Sequence, residues 1–283
     1  MDATRIAALL APFLDERTLP EVQLQRISMY IDLLLRWNAR VNLTAIRDPD
    51  EIVTRHFGES FFLARHLFPE TSVARTCPER ESKGPSPAWS SNPPNPPKPE
   101  TQPPRPLFPD AEGLSNGLAG GGPFDSRSGQ VRPTLPPTLD EVRVLDIGSG
   151  AGFPGLPLKL WAPAISLTLV ESNHKKAAFL REVIRALTLT DVNVITARAE
   201  TLADTPADVV TLRAVERFDA ILPIAARLVS PSGRLALLIG SSQLPALQTM
   251  APDFHPAATI RIPESQSRVL SIMVRLAEVG DIS

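Results

Sequence analysis

The stretch VRVLDIGSGAGFPGLPL, Val142 to Leu158, decides how the rest of the chain is read. Its first six residues alternate β-branched and aliphatic side chains and end in Asp146 and Ile147, the pattern of a short buried strand. Gly148, Gly150 and Gly152 then fall at alternate positions, with Gly155 following. Residues without a Cβ let the chain turn sharply and let a ligand reach main-chain N–H groups. Pro154 and Pro157 suit the first turn of a helix, where a missing N–H costs little. Strand, glycine loop, helix is the local design of a nucleotide-type cofactor site.

Downstream, strand and helix patterns alternate. Strands are expected at Val142–Ile147, Ile165–Val170, Val192–Ile195, Val209–Leu212, Arg234–Ile239 and Leu270–Leu276. Helices are expected at Leu156–Trp161, His174–Leu187, Phe218–Leu228 and Leu244–Met250, and Phe254–Ile262 offers one more strand that would close an antiparallel hairpin. Such alternation predicts an α/β fold, Rossmann-like, with a mainly parallel sheet covered on both faces. Upstream, residues 1–74 read as a helical extension. Ile27, Ile31, Leu34 and Leu35 give one amphipathic helix between Val22 and Trp37. Asp48-Pro49-Asp50-Glu51 reads as the start of another, with Asp48 as N-cap, and it carries Ile52, Phe57, Phe61, Phe62 and Leu63 inward. Arg55, His56, Glu59 and Ser60 are spaced to share much of one face of that helix, as a polar cluster or as a solvated surface.

Between these parts, residues 75–138 change character. Sixteen of the thirty prolines fall from Pro78 to Pro137, beside a Gly120-Gly121-Gly122 run. This composition cannot bury enough apolar surface to offset the entropy of ordering it, so a disordered insertion is expected, with at most local docking by Trp89, Leu107 and Phe108. Residues 139–283 form the remaining unit, the cofactor-binding core.

Composition narrows the function classes. The chain has 283 residues, 43% of them hydrophobic, and a net charge of −2, so any nucleic-acid partner must meet a local patch rather than a global basic field. The single cysteine, Cys77, excludes an internal disulfide and a cysteine-rich metal site, and four scattered histidines give no metal-ligand spacing, so no metal is expected. The first twenty residues lack the pattern of a signal peptide and no apolar run approaches a membrane span, so a cytoplasmic protein with no membrane partner is expected.

The site residues separate the cofactors. Glu171 ends the second strand about 20 residues past the loop, where a carboxylate takes ribose hydroxyls in either kind of nucleotide site. Gly150 to Gly155 matches GxGxxG, which keeps a nicotinamide-dependent oxidoreductase open. That fingerprint starts late relative to the strand, however, and Asp146 would repel a pyrophosphate. Asp-x-Gly-x-Gly-x-Gly suits S-adenosylmethionine, whose aminoacyl end carries an ammonium and a sulfonium and no phosphate. Ala199 and Glu200, after the third strand, either meet an adenine edge or belong to an ordinary charged loop. The fourth strand ends Thr211-Leu212-Arg213-Ala214, with neither an Asn/Asp-Pro-Pro-aromatic box nor a cysteine nucleophile. Arg213 there suggests a phosphate or guanine contact, or else a salt bridge to Glu216 or Asp208. His174, Lys175 and Lys176 open a helix, where positive charge opposes the helix dipole unless a phosphate docks; two solvated lysines are the alternative.

Taken together, Trp37-Asn38, Asn42-Leu43-Thr44, Arg47-Asp48-Pro49, Arg55-His56, Ser60, the Asp146–Leu158 run, Glu171-Ser172, Arg198-Ala199-Glu200 and Arg213-Ala214 resemble the glucose-inhibited division protein B family. These are bacterial small-subunit rRNA methyltransferases that modify guanine N7. The resemblance implies a class I methyltransferase fold with a seven-stranded sheet and S-adenosylmethionine contacts at Gly148, Phe153, Ala199, Glu200 and Arg213. Asp146, Gly150, Gly152 and Glu171 are expected on the cofactor side, and Arg213, Arg55 and His56 on the substrate side, with no proton-transfer residue. It also implies 16S rRNA or the small ribosomal subunit as partner, and a monomer is expected. A non-catalytic ribosome-assembly module is the remaining alternative. Three departures stand out: the Pro-rich insertion, Glu59 where the family usually has Asp, and Ile239 where a lysine commonly precedes Gly240.

Overall fold

A computed structural model describes residues 1–69, 142–202, 206–213 and 218–276. The expected insertion at 75–138, with Cys77, Trp89, Leu107 and Phe108, lies outside the described residues, as do Ala214 and Glu216.

Seven strands form one sheet: β1 Arg143–Ile147, β2 Ser166–Val170, β3 Val192–Ile195, β4 Ala207–Arg213, β5 Val229–Gly240, β6 Phe254–Arg261 and β7 Arg268–Arg275. Their order is β3-β2-β1-β4-β5-β7-β6. The first five run parallel, whereas β7 is antiparallel to β5 and β6 to β7, so the expected closing hairpin is present. β5 begins five residues earlier than the apolar run that announced it. Ser232, with φ 61°, and Gly233 break the run in sequence, yet Val229 pairs with Ala207 and carries the ladder back past the irregularity.

Helices α1 Ala3–Leu14, α2 Glu21–Asn38, α3 Pro49–Glu51 and α4 Glu59–Leu67 precede the sheet, and α5 Gly155–Trp161, α6 His174–Ala186, α7 Phe218–Arg227 and α8 Leu244–Met250 are interleaved with its strands. Asp48 caps α3 as its sequence announces, Oδ1 accepting from Glu51 N at 2.9 Å, with Pro49 in the first turn. Between α3 and α4 the chain winds as a π-helix over Ile52–Gly58. Such wide turns recur near functional sites because they displace side chains from the ordinary helical register.

The sheet separates two apolar clusters. One joins α1, α2, α4, α5 and α6 and contains Tyr30, Phe57, Phe61, Trp161 and Phe179, all fully buried. Removing each of these rings from water contributes roughly 1.5–3 kcal/mol. The other cluster packs α7 and α8 on the opposite face. Ile239 is buried there, on the side away from the N-terminal helices. The N-terminal helices therefore share one face of the sheet with α5 and α6. Strand order reverses between β1 and β4, and in open sheets of this kind ligands bind beyond the strand ends at that switch.

Candidate active site

The glycine loop leaves β1 at that switch. Gly148, Gly150 and Gly152 all have positive φ, at 69°, 56° and 90°. Gly152 is constrained on every side, because a Cβ there would overlap the Tyr30 hydroxyl and sit 2.6 Å from Leu156 Cδ1. Tyr30 donates to Ala151 O at 2.5 Å, so α2 holds the loop from below. Burial pushes the Tyr30 hydroxyl well above its usual range, with the Asp146 carboxylate adding to the effect, so it remains a donor.

Asp146 is directed inward. Its Oδ2 accepts from Gly155 N at 3.2 Å and its Oδ1 from the Thr211 hydroxyl at 2.8 Å, tying the loop, the start of α5 and β4 together. Burial pushes its carboxyl up to about 6, against the lowering effect of those bonds. Phe153 also turns inward. Its ring stacks on Tyr30 at 5.3 Å and on His56 at 4.7 Å. Thr44 and His56 Nε2 are hydrogen-bonded at 2.9 Å. The Thr44 segment is fixed in turn by Asn38, whose Oδ1 accepts from Leu43 N and Thr44 N and whose Nδ2 donates to Thr44 O. The Trp37-Asn38 and Asn-Leu-Thr segments, far from the loop in sequence, thus converge on its underside.

Above the loop lies a cavity of about 490 Å³. Of the expected site residues it is lined by Gly148, Glu171, Ala199, Glu200 and Arg213. Asp146, Gly150, Gly152 and Phe153 do not line it; they shape the loop beneath. Glu171 is held by two backbone donors, Gly150 N to Oε2 at 2.9 Å and Asn173 N to Oε1 at 2.7 Å. Each oxygen keeps lone-pair capacity for a hydroxyl. Lys176 and Arg198 also line the cavity. The amides of Lys175 and Lys176 are not offered to a phosphate, because Asn173 Oδ1 already caps both. That Asn N-cap was legible in the sequence and was overlooked beside the two lysines.

Apart from Arg55, whose side chain is about half exposed, the substrate-side residues belong to a buried cluster rather than a solvated face. His56, Glu59 and Ser60 are 7%, 2% and 0% exposed. Arg213 is paired with Glu59 rather than with Asp208: its Nε and one terminal nitrogen reach Glu59 Oε2 at 3.3 and 3.1 Å, and the same nitrogen donates to Arg55 O at 2.7 Å. Arg268 joins Glu59 Oε2 at 3.0 Å, and Arg55 approaches Oε1 at 3.9 Å. Burial lowers the Arg213 guanidinium from its ordinary value despite Glu59. His56 is held at about 2 by burial first and then by the charges of Arg213, Arg55 and Arg268, so its ring is neutral. Arg268 was missed because it opens an antiparallel strand outside every motif. Glu59 was expected in a polar cluster with Arg55, His56 and Ser60, but its pairing with Arg213 and Arg268 was not legible.

The sequence relates the chain to known proteins through these same segments. The family model for rRNA small subunit methyltransferase G matches residues 23–74 and 133–259. The chain belongs to this family. Within it, the chain is 30% identical over 271 residues to ribosomal RNA small subunit methyltransferase G of Chloroflexus aggregans, covering 92% of this chain and 84% of that one. It is likewise 30% identical over 285 residues to the protein of the same name from Roseiflexus castenholzii, covering 96% and 90%. Among solved structures, P. horikoshii TYW2 in complex with MeSAdo is 13% identical with a TM-score of 0.42, covering 48% of this chain and 58% of that one, so the assignment rests on the sequence match. Members of the family are rRNA methyltransferases that use S-adenosylmethionine, which decides between the cofactors left open by the glycine loop. Among the described residues, no helix is long and apolar enough to cross a membrane, and no three His, Cys, Asp or Glu side chains are grouped to hold a metal ion.

Proposed function

We propose that this protein methylates N7 of a guanine in small-subunit (16S) rRNA, as a monomer in the cytoplasm, with residues 139–283 holding the donor and residues 1–74 completing the acceptor side. The observation that carries the reading is the cavity beyond β1, β2 and β4, lined by two carboxylates, Glu171 and Glu200, and bordered by Arg213. S-Adenosylmethionine fits the chemistry of that lining and, when bound, supplies the methyl group on a sulfonium. Glu171 would take the ribose hydroxyls, held in place by the amides of Gly150 and Asn173. Ala199 and Glu200 would meet the adenine edge, and Gly148, which lines the cavity with its N–H already bonded to Val170 O, would border the aminoacyl end.

Guanine N7 is a ring lone pair with no proton to lose, so the protein has only to position it. Arg213 and Arg55 would orient the nucleotide, the Glu59 carboxylate fixing the Arg213 guanidinium at the edge of the cavity. His56 would act from beneath, through its stack on Phe153, as a positioning residue. Alignment of the nucleophile with the breaking bond is then the main catalytic term.

Glu171→Ala should weaken S-adenosylmethionine binding by about tenfold or more, as two charge-assisted bonds to ribose are lost, measured by titration calorimetry. Mass spectrometry of small-subunit rRNA from a deletion strain tests the reaction. Loss of one N7-methylguanosine is expected, and an unchanged inventory would overturn the proposal in favour of a non-catalytic assembly factor.

A further inference from the structure

A separate cavity, of about 220 Å³, adjoins the Glu59 cluster. It is lined by Arg55, Arg268, Thr54, Ser265 and Ser267, with Glu59 at its base. The two cavities are joined through the Glu59–Arg213 pair, since Arg213 lines the first and Glu59 the second. Arg268 is in register with Gly240, the last residue of β5, which places it at the same carboxyl edge of the sheet as the switch point.

The charge balance there is uneven. Glu59 Oε2 accepts from both Arg213 and Arg268, whose side chains are mostly buried, and Oε1 faces Arg55. One buried carboxylate thus serves three guanidiniums. Glu51 pairs with Arg55 from outside, and Glu264 lines the rim, but both are exposed or nearly so, and Glu264 makes no ion pair among the described residues. Arg268 Nε is buried and, among the described residues, has no acceptor. A buried cationic group without a full set of acceptors is costly, and a structural ion cluster would match its charges more closely. The cavity is smaller than the roughly 300 Å³ at which pockets for drug-sized ligands begin, so it suits a phosphate better than a nucleoside.

We propose that Arg55, Arg268 and the hydroxyls of Thr54, Ser265 and Ser267 form a phosphate subsite that seats the backbone of the RNA strand beside the target nucleotide. The subsite rests on the reading of the protein as an rRNA methyltransferase. A phosphodiester there would supply the missing acceptors, and the Glu59–Arg213 pair would fix the distance between the seated backbone and the methyl donor.

The test uses the full-length protein, small ribosomal subunits from a deletion strain, and a 16S rRNA transcript. Arg55→Ala removes a half-exposed side chain with little risk to folding, and Arg268→Gln removes the buried charge; Arg268→Lys keeps it. Affinity for the better-bound RNA is measured against salt, with S-adenosylmethionine affinity measured in parallel. Arg55→Ala and Arg268→Gln should each bind RNA roughly tenfold more weakly. Each should also flatten the plot of log affinity against log salt by about 0.7 to 0.9, the signature of one lost phosphate contact. Arg268→Lys should recover most of the slope, and cofactor affinity should stay at the wild-type level. Unchanged RNA affinity and slope in Arg55→Ala and Arg268→Gln, with cofactor binding intact, overturns the subsite and leaves the methyltransferase reading standing. A wild-type protein that neither binds nor methylates either RNA overturns both.

Discussion

The proposed donor and acceptor sides of the candidate site are built from opposite materials. The donor side is a continuous piece of chain, in which β1, the glycine loop and the start of α5 present backbone, and Glu171 is fixed by main-chain amides. The acceptor side is assembled from charged side chains on α4, β4, β7 and the π-helical turn, around one buried carboxylate. Backbone geometry is set locally and tolerates no added atoms. A side-chain ion cluster is set by tertiary packing and tolerates no missing charge.

The largest effect expected from this contrast is on the acceptor side. Glu59→Gln leaves Arg213 and Arg268 buried without a counterion and should lower stability by about 3–5 kcal/mol, measured by urea unfolding. A loss under about 1 kcal/mol would show that the cluster is solvated in solution and that the contrast is false.

On the donor side, Gly152→Ala forces a Cβ into a φ of 90° and against Tyr30 and Leu156. The combined strain and overpacking should cost about 2–4 kcal/mol. Tyr30→Phe should by itself cost about 1–2 kcal/mol, since Ala151 O loses its donor. Combined with Gly152→Ala it should recover part of the loss, because the hydroxyl is the atom in the way. Strict additivity of the two changes would show that the loop does not rest on Tyr30.

The smallest effect expected, over the single pH unit between 6 and 5, is a pH dependence. His56 is held at about 2 in the folded protein, below its ordinary value of 6.5. Protons therefore bind the unfolded chain more tightly, and this part of the stability is complete above pH 6.5 and is lost as pH falls towards 2. The slope is at most about 1.4 kcal/mol per pH unit. His56→Gln should unfold less steeply with acid between pH 6 and 5 than the wild type; parallel curves would place His56 in contact with water.

How much of this was legible follows from the range of each interaction. The strands and helices of the core, the closing hairpin and the capped start of α3 were written in periodicity and in turn and cap residues, all of which act within a few positions. Gly148, Glu171, Ala199, Glu200 and Arg213 line one cavity because each ends or follows a parallel strand, and the fold sends all such ends to one edge. Phe153 and Asp146 were legible as part of the loop but not in direction, since a side chain on a turn can face either the ligand or the core. Their inward orientation depends on Tyr30, His56 and Thr211, none of them adjacent in sequence.

By itself, then, the sequence determined the sheet, the glycine loop and, through the family it marks, the methyl donor. Local backbone chemistry was enough for these. Only the tertiary structure decided that Glu59 is buried and shared by three arginines, and that Arg213, 154 residues away, is one of them. Charge pairing in a core depends on which surfaces are brought together and dried. No spacing within a single segment encodes that.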